Sequence, residues 1–170
     1  MKKLFGLLSV LMILASFLLV PNQDVFAKVI VTYPEVTAVL LGPPICEKVW
    51  TSGSVSHIRD CVFQQAYSSD DDFRLVGTNT LTMNQNIFGE YGFPAVGHGT
   101  WVLEAELVEG GYWAGTYTAN IDETGYMSVY IRGKGYGTLE GLQLDNITHG
   151  MGGADTVTIT TLPSYDGPEP

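Results

Sequence analysis

The stretch "GTWVLEAELVEGGYWAGTYTANIDETGYMSVYIRG" (99–133) limits the possible folds of this chain more than any other. Trp101, Leu103, Ala105 and Leu107 take one parity, while Thr100, Glu104 and Glu106 take the other. A period of two marks a half-buried strand, because successive side chains point to opposite faces of a sheet. Gly110-Gly111 interrupts this run as a hairpin turn, and 112–121 reads as the returning strand. "DETG" (122–125) turns again, and 126–133 pairs back. Three consecutive strands joined by tight turns form an antiparallel meander.

The rest of the chain extends this pattern. Runs rich in Thr, Val, Ile and Tyr at 29–33, 55–66, 74–84, 138–144 and 155–161 are separated by Gly, Asp and Asn. No amphipathic helical period appears after the first 27 residues. The expectation is an all-β domain over 28–162, mainly an antiparallel up-and-down β-barrel of seven or eight strands. A β-sandwich with Greek-key crossovers is the alternative. The final residues, 163–170, are polar and contain proline, so a disordered tail is expected.

The first residues have a different task. Lys2 and Lys3 precede an apolar run from Leu4 to Val20, Pro21 ends it, and Val25-Phe26-Ala27 fits a small-x-small cleavage site. This is the pattern of a secretory signal peptide over 1–27. The predicted location is therefore extracellular or periplasmic, with no membrane attachment after cleavage. Removing Lys2, Lys3 and Asp24 leaves 6 basic and 17 acidic residues, a net charge of −11. Such a surface repels nucleic acid and anionic membranes, so no nucleic-acid partner is expected. Cys46 and Cys61 are the only cysteines, and an exported chain with an even count favours a disulfide between them.

The segment "IRGKGYGTLEGLQL" (131–144) poses a choice between a phosphate cradle and a bent strand. A dinucleotide fingerprint needs G-x-G-x-x-G before a helix, but position 138 is Thr and the residues that follow have no helical period. Alternate glycines at 133, 135 and 137 fit a strand that bends sharply or is closely approached by another backbone. No nucleotide or other cofactor is expected.

"VSHIRDCVFQQAYSSDDDFRLVGTNTLTMNQN", "GHGTWVLE", "GGYWAGTYTANI" and "GKGYGTLEGLQL" together resemble a family of secreted bacterial β-proteins. Its pattern is H-x-R, an acidic turn, G-G-x-W-x-G and G-x-G-x-G-x-L-E-G-L. The resemblance covers about residues 50–144 and implies a fold rather than a chemistry. The layout is also similar to the eight-stranded barrel of allene oxide cyclases and dirigent proteins. No catalytic residue carries over from that topological likeness.

Candidate site residues follow from parity. If the row containing Trp101 faces inward, the next strand contributes Trp113, Tyr117 and Ile121. The row of Leu75, Asn79, Leu81 and Met83 and the row of Val55, His57, Arg59 and Phe63 are then expected inward as well. This places the polar groups of His57, Arg59 and Asn79 in an apolar lumen walled by Trp101 and Tyr117. Surface pairing of Arg59 with Asp60 or Asp72 is the plainer alternative. His57, His98 and His149 show no ligand spacing, and Asp70, Asp71 and Asp72 lack the alternating oxygens of a calcium loop, so no metal is expected. Glu104 and Glu106 read as the wet side of a strand.

The first functional expectation is a non-catalytic module that binds a small apolar or aromatic ligand in the barrel mouth. A cyclase- or isomerase-type enzyme using polar lumen residues is the second. A structural or surface-interaction protein is the third. Ligand identity and oligomeric state are left open.

Overall fold

The computed structural model describes residues 29–150, 154–162 and 167. The expected signal peptide lies outside the described residues, as does the expected tail apart from residue 167. Ten strands form one antiparallel sheet. They are β1 (Ile30–Thr32), β2 (Glu35–Leu40), β3 (Ile45–Ser52), β4 (Val55–Ser68) and β5 (Gly77–Ile87), followed by β6 (Ala95–Ala105), β7 (Tyr112–Ile121), β8 (Met127–Tyr136), β9 (Leu142–His149) and β10 (Ala154–Thr161). Short 3-10 turns at Phe73–Leu75 and Gly137–Leu139 complete the ordered elements.

The sheet closes into a ring. From β4 to β9 each strand pairs with the next in sequence, β10 pairs with β9 on one edge, and β2 bridges β10 to β4. Eight strands thus make the barrel, as expected. The other two extend shared edges: β1 runs beside β10, and β3 pairs with the first half of the long β4. β2 and β3 escape the sequence reading because Pro34, Pro43 and Pro44 punctuate the region like a loop. β3 also buries almost nothing, so no core alternation reveals it.

Residues directly opposed in an antiparallel ladder share a face. One inward row runs Leu81, Trp101, Gly115, Gly133, Leu144 and Ile159. The next runs Met83, Gly99, Tyr117, Ile131, Asn146 and Val157. Glycine alternates with large rings in these rows, so the rings of Trp101 and Tyr117 lie against bare backbone at Gly133 and Gly99. A Cβ on Gly133 would stand 3.0 Å from Trp101 Cη2, and one on Gly135 would stand 2.8 Å from Leu139 Cβ. The glycine-rich stretch therefore ends β8 and turns into a three-residue 3-10 segment, with Gly137 at φ +64°. The glycines make room for neighbouring core groups, as the bent-strand reading expects. On the outer side, Tyr136 stacks on Tyr112 at 5.0 Å.

One end of the barrel is closed. Leu75, Leu103, Trp113 and Leu139 are fully buried there, with Val108 beside them. The plug is pinned by a buried ion pair: Arg74 donates to both carboxylate oxygens of Asp72, from Nε to Oδ1 at 2.8 Å and from Nη2 to Oδ2 at 2.6 Å. Trp113 Nε1 donates to the Arg74 carbonyl at 2.8 Å. Asp72, at the end of the acidic run, is thus a buried ion-pair partner. Leu107, expected inward, is 62% exposed, because β6 ends at Ala105 and the chain turns away. Along β5 the inward side chains pass from buried at Asn79 and Leu81 to half-buried at Met83, Gln85 and Ile87, so the opposite end is the more open one.

Cys46 and Cys61 face each other across β3 and β4 and are joined as a disulfide. No helix among the described residues is long and apolar enough to cross a membrane.

Candidate functional site

Of the five expected site residues, the barrel gathers three. Asn79, Trp101 and Tyr117 are buried on the inner face, at 1%, 4% and 6% exposure. His57 and Arg59 are placed elsewhere, so the single five-residue pocket does not form. The cause is a β-bulge in β4. Ile58 opposes Gln85 and Cys61 opposes Met83, so Arg59 and Asp60 together face the single residue Asn84. Asp60 takes the left-handed backbone conformation, φ +55°. An extra residue inverts the parity of everything upstream of it. Cys61, Phe63, Gln65 and Tyr67 oppose the inward row of β5, whereas His57 opposes Asn86, on the outer face.

On that outer face the displaced residues form their own cluster. The His57 ring stacks on Trp50 with centroids 4.9 Å apart, and the Arg59 guanidinium lies 5.4 Å from the Trp50 ring centre. Asn86 Oδ1 accepts from Arg59 Nη2 at 2.7 Å and lies 2.9 Å from His57 Nδ1. Arg59 Nη1 donates to the carbonyls of Ile58 at 2.8 Å and Gln85 at 2.7 Å, stapling the bulge. The carboxylates offered as its surface partners are taken: Asp60 pairs with Lys48 at 3.0 Å, and Asp72 with Arg74.

The interior has a feature that the sequence reading reached only in part. Five buried side-chain atoms have no hydrogen-bond partner among the described residues: Thr32 Oγ1, Asn79 Oδ1, Trp101 Nε1, Tyr117 OH and Asn146 Oδ1. All five belong to inward positions by register: Thr32 opposes Ile159, and Asn146 opposes Val157. The two amide nitrogens are occupied, Asn79 Nδ2 donating to Gln65 Oε1 at 3.3 Å and Asn146 Nδ2 to Thr148 Oγ1 at 3.2 Å. What remains is two carbonyl acceptors, one indole donor and two hydroxyls in an apolar surround. Burial pushes the Tyr117 hydroxyl up to about 12, so it stays a neutral phenol at physiological pH.

Thr32 and Asn146 were absent from the sequence-based site. Asn146 is 6% exposed and, opposing Val157, points inward. A parity count through β9 from Leu142 and Leu144 carries the signal that places it inside.

The aromatic set on the β7–β8 hairpin divides by face. Trp113 and Tyr117 are core, whereas Tyr112, Tyr126 and Tyr130 are exposed. Among the described residues, no group of three or more His, Cys, Asp or Glu side chains is arranged to hold a metal ion. Comparison with protein-family models, curated proteins and solved structures gives no match.

Proposed function

We propose that this protein is a secreted, non-catalytic binding module whose barrel interior takes a small, uncharged, largely apolar or aromatic molecule. The observation that carries this reading is the set of five unpartnered polar atoms in the apolar interior. Buried polar groups are costly to leave unpaired, at about 1–3 kcal/mol each, so native proteins satisfy nearly all of them with protein, water or ligand. A molecule with one hydroxyl or carbonyl on a hydrocarbon or aromatic body matches both demands of the site. The mixture of donor, acceptor and hydroxyl groups suits a neutral partner, since each such group can be met without introducing a charge.

The cyclase or isomerase reading draws less support. It relied on His57 and Arg59 acting beside Asn79, and the bulge sets those two on the other face of the sheet. An oxidising extracytoplasmic location is compatible with the Cys46–Cys61 bridge.

Native mass spectrometry of protein purified from its own host tests the reading. A neutral adduct of discrete mass, released on denaturation and lost in a Tyr117→Phe, Asn146→Leu double variant, is the expected result. Protein that carries no adduct and takes up none from a lipophilic extract of the host medium would remove the reading.

A further inference from the structure

We propose a second binding site, on the outer face at the β4 bulge, that takes a carboxylate attached to a flat aromatic body. It is independent of the interior site and rests on the Trp50, His57, Arg59 and Asn86 cluster.

A guanidinium has five N–H donors. Three of those on Arg59 are committed, to Ile58 O, Gln85 O and Asn86 Oδ1. One donor on Nε and one on Nη2 remain, enough for a single carboxylate. The other ion pairs described here each join a cation to its own carboxylate: Lys48 to Asp60, Arg74 to Asp72 and Arg132 to Asp145. Arg59 is half-buried and has no carboxylate within ion-pair distance among the described residues. A partly desolvated cation without a counter-ion attracts one, and the charge-assisted bonds it can form are among the stronger polar contacts.

The second element is the ring. Trp50 is 45% exposed, with the Arg59 guanidinium over its ring and His57 stacked on it, so a planar group bound at Arg59 meets the exposed part of the indole. His57 backs the indole at 4.9 Å and is itself oriented by Asn86, which also holds Arg59. One asparagine oxygen thus fixes both neighbours of the tryptophan. The bulge and the disulfide-linked β3–β4 pairing keep these side chains on rigid strands.

The charge of the whole chain selects the ligand further. At −11 for residues 28–170, the protein repels polyanions. A single carboxylate can reach one local cation against that field, whereas a phosphate dianion is opposed more strongly.

Benzoate is the test probe, with benzamide as its neutral match in shape. Nitrogen-edited NMR follows the indole Nε1–H signals, with Trp50 assigned through Trp50→Phe. Benzoate is expected to shift the Trp50 signal saturably, and benzamide to leave it unmoved at the same concentration. Arg59→Gln should weaken benzoate by at least about tenfold, the factor that one charge-assisted hydrogen bond supplies. Arg59→Lys, which keeps the charge but not the fork, should fall between. Should loss of the bulge staple unfold the Arg59 variants, Trp50→Leu replaces them, read through the Arg59 Nε–H signal, with the same weakening expected. Equal responses to benzoate and benzamide, no response to either, or unchanged affinity in these variants overturns the site. A benzoate shift confined to Trp101 would place the probe in the interior and also overturn it.

Discussion

Trp101 lies against Gly133, two strands away across β7, with Gly115 between them in the same inward row. The indole occupies the volume that a side chain at Gly133 would need, whereas one at Gly115 would meet the backbone of Arg132 and Gly133. Gly133→Ala places a methyl 3.0 Å from Trp101 Cη2 and even nearer to its ring neighbour, so the indole must shift. Overpacking of this kind costs about 1–3 kcal/mol. A lower urea midpoint with an unchanged slope is expected. Gly133→Ala in a Trp101→Leu background should recover much of the loss, because the smaller side chain vacates the space.

Asp72 and Arg74 form a buried ion pair at the closed end of the barrel, each 1% exposed. Breaking such a pair strands a charge in a poor solvent and costs about 3–5 kcal/mol. Asp72→Ala also removes the carboxylate that caps the 3-10 turn through the Arg74 N–H at 3.0 Å. Equilibrium unfolding should show a drop of that size. Replacing both partners, as in Asp72→Ala with Arg74→Met, should be milder than Asp72→Ala alone. A double variant at least as unstable as the single one would show that the pair itself carries little of the effect.

The Cys46–Cys61 bridge closes a separation of 15 residues between opposed positions of β3 and β4. In the chain-entropy model a loop of that size is worth about 3 kcal/mol. Denatured, unreduced protein should titrate no free thiol. The Cys46→Ala, Cys61→Ala variant should unfold at lower urea by the corresponding amount. Its loss should also loosen β3, which among the described residues has no strand partner other than β4.

The sequence reading reaches Asn79, Trp101 and Tyr117 because β5, β6 and β7 keep strict alternation and pair without a slip from Gly77 to Ile121. It fails at His57 and Arg59 for a reason local to one residue. Asp60 adopts a positive φ, which aspartate tolerates better than most side chains, and nothing in "HIRDC" announces that choice. Counting by twos through the bulge puts the row on the wrong face. The end plug is hidden for another reason: a three-residue 3-10 turn has no period to detect, so Asp72 reads as one more acid in a wet turn. β3 is hidden because a strand outside the barrel lacks a buried stripe. The parts that could be read are those where burial imposes a rhythm, and the parts that could not are set by single backbone conformations.

Tyr117 separates the binding reading from a purely structural one. Its hydroxyl is buried without a partner, and desolvation raises it to about 12. In the unfolded chain a tyrosine titrates near 10. Between those values the folded protein holds a proton that the unfolded chain has released. Stability from this group is therefore complete below about pH 10 and falls as pH rises toward about 12. Tyr117→Phe abolishes that slope. At pH 7 the same substitution removes an unpaired polar atom from the ligand-free barrel, so it should leave stability equal or raise it by about 1 kcal/mol. Urea midpoints of wild type and variant at pH 7, 9.5 and 11 measure both effects, and the variant should gain on wild type only above about pH 10. Parallel curves across that range would mean that the hydroxyl is already solvated. If the variant is as stable as wild type at pH 7 yet retains no adduct, the hydroxyl is kept for its ligand at no benefit to the fold.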